Sequence, residues 1–325
     1  ADGFDAEGRS ADAFQCYAGA NKEMARLYDQ EFALRSQHNP AEFLTRLTVY
    51  FDRANPADWQ AQPVAPVAGG PSQHVFLVGY PRSGTTLLEQ ILAARPDAVT
   101  LEEQPSLSDA EDAFFIPANG LDKLANLSAE DTALYRELYW NRVRSLGVEP
   151  KGRLFVDKMP LNTILLPAIA KLFPDARVLF AVRDPRDVVL SCFRQRFGAN
   201  AAMFSFLTLE GAAYHYEAVM KLATAYRDVL PLNLRDVRHE QVTADLEGEI
   251  KAVCAFLGVD WDPAMAEFAS RRGRAVNTPS AAQLAKGLTG EGVGQWRRYR
   301  DQLAPVLPGL EPWVEHYGYA PTEES

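Results

Sequence analysis

The chain is predicted to be α/β: a P-loop-type parallel sheet flanked by helices, with a short helical N-terminal segment. Three observations predict this. An apolar run of Val75, Phe76, Leu77 and Val78 enters a loop bracketed by Gly79 and Gly84, and a helix opens at Thr85. Further apolar, β-rich runs then alternate with helical patterns, the signature of parallel strands joined by crossover helices. The length of 325 residues, with 47% hydrophobic and 23% charged residues, suits one large α/β domain with a modest helical appendage.

The elements follow in order. Residues 1 to about 54 read as helical. Ala13, Tyr17 and Ala20 follow Gly8 at the spacing of half a tetratricopeptide repeat, and an Ala-rich amphipathic helix accounts equally for the pattern. Residues 60–73 are rich in Pro, Gly and Ala and read as a linker. The expected division is therefore 1–73 for the helical segment with its linker and 74–325 for the α/β domain. After the helix that opens at Thr85 comes a short extended piece, Val99–Leu101. The next strand spans Arg153–Asp157, and a helix runs from about Asn162 to Phe173. A strand at Arg177–Val182 leads to a helix from Pro185 to about Phe197. A long helix over Leu207–Leu230 precedes a strand at Leu232–Arg238 and a helix over Leu246–Leu257, capped by Thr243 or Asp245.

Charge and composition exclude several classes. A net charge of −10 argues against a broad nucleic-acid surface. No run of about 18 apolar residues occurs, so no membrane span is expected. The first residues have neither a basic n-region nor an apolar h-region, so no signal peptide is expected. Cys16, Cys192 and Cys254 are odd in number and far apart, which fits a reducing, cytoplasmic compartment rather than a disulfide framework or a zinc site.

The chemistry concentrates in a few places. Pro81, Arg82, Ser83, Gly84, Thr85 and Thr86 occupy a loop with Walker A spacing but without its lysine. Such a turn aims backbone N–H groups and a helix N-terminus at one anion. The missing lysine argues for a nucleotide whose phosphates differ from those of a triphosphate. A second candidate is Arg183-Asp184-Pro185-Arg186, with Ser191 on the helix that follows. Arg183 stands at the C-terminal end of a strand, where ligands of open α/β sheets gather, and a guanidinium can grip phosphate with two parallel hydrogen bonds.

Together these motifs resemble the sulfotransferases that use 3′-phosphoadenosine 5′-phosphosulfate. The likeness covers about residues 75–319. It is nearest to the bacterial enzymes fused to tetratricopeptide repeats and extends to the tyrosylprotein sulfotransferases. The resemblance makes 74–325 a sulfotransferase domain. It implies that the 81–86 loop holds the 5′-phosphate and orients the sulfonate, and that Arg183 and Ser191 bind the 3′-phosphate, while Arg186 is structural. Where tyrosylprotein enzymes have an arginine four residues after the serine, this chain has Gln195, and Arg194 or Arg196 can substitute. His239-Glu240 stands where the family has Tyr-Glu, and the imidazole can donate to a phosphate.

The resemblance further implies a catalytic set. Glu103 falls at the family's glutamate base, with Glu102 beside it read as a solvated loop acid. Lys158 resembles the catalytic lysine that steadies charge on the bridging oxygen. Ser280, Gln283 and Lys286 match a segment in which the serine stabilises the transition state and the lysine contacts the nucleotide. No metal is implied, and the product would be 3′,5′-adenosine bisphosphate. The acceptor would be a hydroxyl of a carbohydrate, lipid, small molecule or protein tyrosine. Its pocket would be walled by stretches near 104–125 and 198–210, with Phe114, Phe115, Phe204 and Phe206. Pro105 replaces the arginine that engages an acidic peptide in the tyrosylprotein enzymes. Trp296 and Tyr299 read as packing residues. No nucleic-acid partner is expected, and a homodimer is left open. Two alternatives stand beside this: a P-loop kinase of the same fold, for which Arg82 and Asp157 would be imperfect stand-ins for the Walker lysine and a Mg²⁺ ligand, and, from another class, a non-catalytic adaptor whose helical N-terminus binds a partner beside a relict nucleotide pocket.

Overall fold

The computed structural model describes residues 1–35, 40–60, 62–65, 67, 69–197, 201–268 and 292–324. Helices α1 (Asp2–Ala6), α2 (Ser10–Arg35) and α3 (Pro40–Phe51) come first. Strand β1 (Gln73–Gly79) is followed by α4 (Thr85–Ala93), β2 (Ala98–Glu102), α5 (Ser108–Phe114), α6 (Gly120–Ala125) and α7 (Ala129–Ser145). Then come β3 (Leu154–Lys158), α8 (Leu166–Leu172), β4 (Arg177–Val182), α9 (Pro185–Arg194), α10 (Ala201–Ser205) and α11 (Leu209–Val229). Strand β5 (Leu234–Arg238) precedes α12 (His239–Ala244) and α13 (Leu246–Leu257), and a helix at Leu307–His316 lies near the C-terminus.

The chain divides into two compact units. One gathers the described residues of Ala1–Val49, Arg183–Leu222 and Asn277–Ser325, the other those of Tyr50–Val182 and Ala223–Val276. The second unit holds a five-stranded sheet in the order β2-β3-β1-β4-β5, with every pairing parallel. The two central neighbours of β1 explain its composition: Val75, Phe76, Leu77 and Val78 are all fully buried. Below them His74 packs among Phe76, Tyr139, Trp140, Phe155 and Phe173. Its Nε2 lies 2.9 Å from the Tyr139 hydroxyl, and burial pushes the imidazole down to about 3, so this histidine is a neutral core residue.

In the first unit, α1 and α2 are tied to α9 by charged and aromatic contacts. Arg194 binds Asp5 at 2.6 Å, Asn21 Nδ2 donates to the Phe193 carbonyl at 2.9 Å, and Phe14 stacks on Phe193 at 5.0 Å. Among the described residues no helix is long and apolar enough to cross a membrane.

Three expectations about elements are corrected. Val99–Leu101 is part of the edge strand β2, because it pairs in full register with β3 over Ala98–Glu102. The helix expected over 162–173 is divided into a 3₁₀ turn, Pro160–Thr163, and α8. Pro167 has no N–H to donate and so sits in the first turn of α8, where that donor would have no intrahelical partner. The helix after Pro185 stops at Arg194, where Gln195 turns extended at φ −89° and ψ 135°. Of the two caps considered for α13, Asp245 serves, accepting from the Gly248 N–H at 2.9 Å.

The close approach of β1 to β4 makes a testable demand on Gly79. Its φ is +144°, and a Cβ there would lie 2.6 Å from the Ala181 carbonyl oxygen. Gly79→Ala is expected to destabilise by about 1–3 kcal/mol, read as a lower urea midpoint. Gly19→Ala, inside α2 with open space around it, is the control and is expected to stabilise by about 0.5–1 kcal/mol.

Candidate active site

Strand ends build the site. The register that pairs Leu77 with Lys158 also pairs Lys158 with Glu102, so the C-terminal ends of β1, β3 and β2 finish side by side. The loop from Gly79 therefore starts beside Lys158. Arg82 holds a left-handed backbone at φ 70°, and Gly84 does so at φ 98°. Non-glycine residues adopt this conformation at a cost, and such strain collects where a loop is shaped for a ligand. Ser83, Thr85 and Thr86 are buried, Pro81 is buried and Arg82 half-buried. No side chain caps the N-terminus of α4. Its first N–H groups, together with the hydroxyls of Ser83, Thr85 and Thr86, are the donors that this turn gathers.

His239 comes to this loop from the end of β5. A Cβ on Gly84 would lie 2.8 Å from His239 Nδ1, so the imidazole packs directly against the glycine. The loop is anchored from below by Thr163, whose hydroxyl donates to the Gly79 carbonyl at 2.7 Å and lies 3.0 Å from the Gly79 N–H.

Lys158 is the last residue of β3, not a residue past it, and is fully buried. Three carboxylates surround its ammonium: Glu103 Oε1 at 2.7 Å, Glu89 Oε2 at 3.3 Å and Glu102 Oε1 at 3.6 Å. The Glu103 side chain is 39% exposed and its backbone is left-handed at φ 48°. Its N–H donates to the Lys158 carbonyl at 2.7 Å, which extends the β2–β3 pairing by one bond as the chain turns. Glu102 is the last residue of β2 and an ion-pair partner of Lys158, which corrects its reading as a solvated loop acid.

Asp157 holds the turn from the other face of β3, where alternation of side chains along a strand places it. Its Oδ2 accepts from Ser106 Oγ at 2.6 Å and from the Tyr139 hydroxyl at 2.8 Å, tying the segment after Glu103 to the sheet. Burial pushes this carboxyl up to about 6, against the opposing effect of the two hydroxyl donors.

Glu89 belongs to the cluster although no sequence motif marked it. It is 1% exposed on α4, in the run TTLLEQILA, where it is the only charged residue. A lone carboxylate inside an apolar helix is the signal that could have found it, because such a group must meet a cation or a donor when buried. Burial pushes Glu89 up and Lys158 pulls it down.

The remaining candidates lie in the other unit. Arg183 follows β4 directly in the chain, is 8% exposed and donates through Nη2 to the Gly292 carbonyl. Asp184 caps α9 and grips Arg186 through Nε at 2.9 Å and Nη2 at 2.8 Å. Arg186 is buried over the Trp296 ring at 3.9 Å and donates to the Ala320 carbonyl, so its role is structural. Asp187 accepts from the N–H groups of Gly294 and Trp296. Trp296 and Tyr299 are fully buried packing residues.

Ser191 is half-buried on α9. Arg194 is held by Asp5 and Tyr17, whereas Arg196, just past α9, is exposed and lines a cavity of about 120 Å³ with Tyr17, Met24, Phe197 and Phe206. Ser280, Gln283 and Lys286 lie outside the described residues. Of the four aromatics expected to wall an acceptor pocket, Phe114, Phe115 and Phe206 are buried, and only Phe204 is exposed. Phe114 packs on Tyr135, which makes it a core contact.

Asp157 carries a pH prediction. A carboxyl raised in the folded state binds its proton more tightly there than in the unfolded chain. Its stabilising share is fully present below its ordinary value near 3.8 and is lost as pH rises through about 6. Asp157→Asn should therefore gain stability relative to the parent between pH 4 and 7, on the order of 3 kcal/mol. Urea unfolding at pH 4, 5.5 and 7 measures this, and a difference constant with pH would refute it.

Known proteins supply an independent line. The model of the sulfotransferase family matches residues 74–263. An uncharacterized protein of Aquifex aeolicus (strain VF5) is 27% identical over 262 residues, 75% of this chain and 33% of that protein. Protein-tyrosine sulfotransferase A of Caenorhabditis elegans is 21% identical over 276 residues, 77% of this chain and 68% of that protein. The protein-tyrosine sulfotransferase of Drosophila melanogaster is 22% identical over 264 residues, 76% of this chain and 52% of that protein. The chain thus spans about a third of the Aquifex relative and about half of the Drosophila one. Among solved structures, the sulfotransferase domain of the Synechococcus PCC 7002 olefin synthase superposes with a TM-score of 0.50 at 23% identity, over 73% of this chain and 91% of that one. That likeness shows a shared fold.

Proposed function

The chain belongs to the sulfotransferase family, and on that footing we propose that it transfers a sulfonate group from 3′-phosphoadenosine 5′-phosphosulfate to an acceptor hydroxyl. The observation that carries this reading is the pairing of Lys158 with Glu103 at 2.7 Å, at the strand ends beside the uncapped α4 turn. A cation for the leaving group and a carboxylate for the attacking hydroxyl are the two groups that such a transfer needs.

The residues fit the donor. The turn offers buried hydroxyls, N–H groups and Arg82 to a phosphate, and His239 packs against its central glycine. Arg183 supplies a guanidinium on the residue after β4, with Ser191 eight positions on, for the second phosphate. Arg196 and Lys286 are further candidates for the nucleotide. When bound, the donor supplies a sulfonate on a phosphate leaving group.

In this reading Glu103 accepts the acceptor hydroxyl's proton as the oxygen attacks sulfur. Lys158 holds positive charge toward the oxygen that departs, and the loop N–H groups keep the 5′-phosphate in place. Ser280 would add a hydroxyl to the same charge. The acceptor is a hydroxyl-bearing carbohydrate, lipid, small molecule or protein tyrosine. A kinase reading is disfavoured because Asp157 is buried between Ser106 and Tyr139, where it is occupied by their hydroxyls.

Two measurements test the proposal. Calorimetry is expected to show micromolar binding of 3′,5′-adenosine bisphosphate without Mg²⁺, whereas binding of ATP alone and only with Mg²⁺ would sink it. Glu103→Gln is expected to keep bisphosphate affinity and lose about 10²–10⁴-fold in turnover. Turnover that survives the substitution removes Glu103 as the base.

A further inference from the structure

Glu89 is the member of the carboxylate cluster that the proposed reaction leaves without a task. Glu103 and Lys158 are in contact at 2.7 Å, yet the two must separate for chemistry. A carboxylate held by an ammonium is a poor proton acceptor, and an ammonium occupied by a carboxylate is not aimed at a leaving group. Glu103 can move, because its side chain is 39% exposed. Lys158 cannot follow it into water, because it is fully buried. When Glu103 turns to the acceptor, the ammonium loses its nearest anion.

Two carboxylates remain. Glu102 is 3.6 Å away and 23% exposed. Glu89 is closer, at 3.3 Å, and its 1% exposure fixes it in place on α4. The helix that bears Glu89 is the one whose N-terminus forms the anion turn, so lysine and turn share one support. An ammonium has three N–H donors, so Lys158 can keep its ion pair with Glu89 while an N–H points at a ligand.

We propose that Glu89 is a positioning residue for the transfer: the buried counter-ion that holds Lys158 as an aimed ammonium while Glu103 leaves it to take the acceptor's proton. This rests on the sulfotransferase reading.

The test is steady-state turnover of 3′-phosphoadenosine 5′-phosphosulfate with 4-nitrophenol as acceptor, or water where the phenol is not used, together with calorimetry of 3′,5′-adenosine bisphosphate. Glu89→Gln keeps the shape and removes the charge. Its kcat is expected to fall about 10–100-fold, with donor KM and bisphosphate Kd within about three-fold of the parent. Glu89→Asp keeps the charge one methylene short and is expected to retain more of kcat than Glu89→Gln. A role in packing alone reverses that order, because Gln preserves the volume and Asp does not; it therefore overturns the inference, and the Asp variant still decides should the Gln variant fail to fold. A Glu89→Gln protein with kcat within about two-fold of the parent also overturns it while leaving the sulfotransferase reading intact. A parent protein that neither binds the bisphosphate nor consumes the donor overturns both.

Discussion

The burial of one ammonium governs this architecture. Lys158 has no exposed surface, and a charge removed from water is tolerated only with compensating charge and hydrogen bonds around it. Three glutamates meet that need from two elements, Glu89 from α4 and Glu102 and Glu103 from the end of β2. Each of those elements is consequently fixed relative to β3. The edge strand β2 is short, and its register with β3 is what delivers Glu102 opposite Lys158 and Glu103 just beyond it. A one-residue slip would turn both acids to the wrong faces and leave the lysine short of anions.

Backbone strain is the second ingredient, and it is local. Arg82 and Glu103 are the non-glycine residues described with left-handed backbones, and both stand in the turns that leave β1 and β2. Neither residue type favours that conformation, so the surroundings must impose it. Arg82 lies two residues before Gly84, the left-handed residue that opens α4 and against which His239 packs. At Glu103 the imposing elements are the bond from its N–H to the Lys158 carbonyl and the Ser106–Asp157 contact that secures the following turn. The carboxylate of the candidate base is thereby aimed by its backbone as well as by its ion pair.

The unit that carries Arg183 uses charge differently. Asp184, Arg186 and Asp187 form a closed set of hydrogen bonds among α9, the Trp296 segment and the Ala320 carbonyl. Burial pushes Asp187 up to about 6 against the pull of Arg183. The arginine-rich RDPR motif therefore divides its labour. Arg186 is consumed in the scaffold against Trp296, whereas Arg183, the residue after β4, donates to the Gly292 carbonyl.

Much of this was legible in the chain itself. Local patterns sufficed for the apolar β1, the glycine-bracketed turn, the β-α alternation and the capped α13, because periodicity, propensity and turn chemistry act over a few residues. Turn chemistry and strand-end position also marked the 81–86 loop and Arg183 as candidates for a phosphate, whereas Glu103, Lys158 and His239 became candidates only through the family resemblance. What local pattern could not resolve was which of several like groups meet. No motif marked Glu89, Glu102 read as a solvated loop acid, Asp157 stood in for a Mg²⁺ ligand only in the kinase alternative, and Val99–Leu101 read as a short extended piece. Packing in three dimensions settled all four by one physical rule: strand register brings distant residues within 3–4 Å, and only in that contact do burial and Coulomb attraction assign a charged side chain its partner.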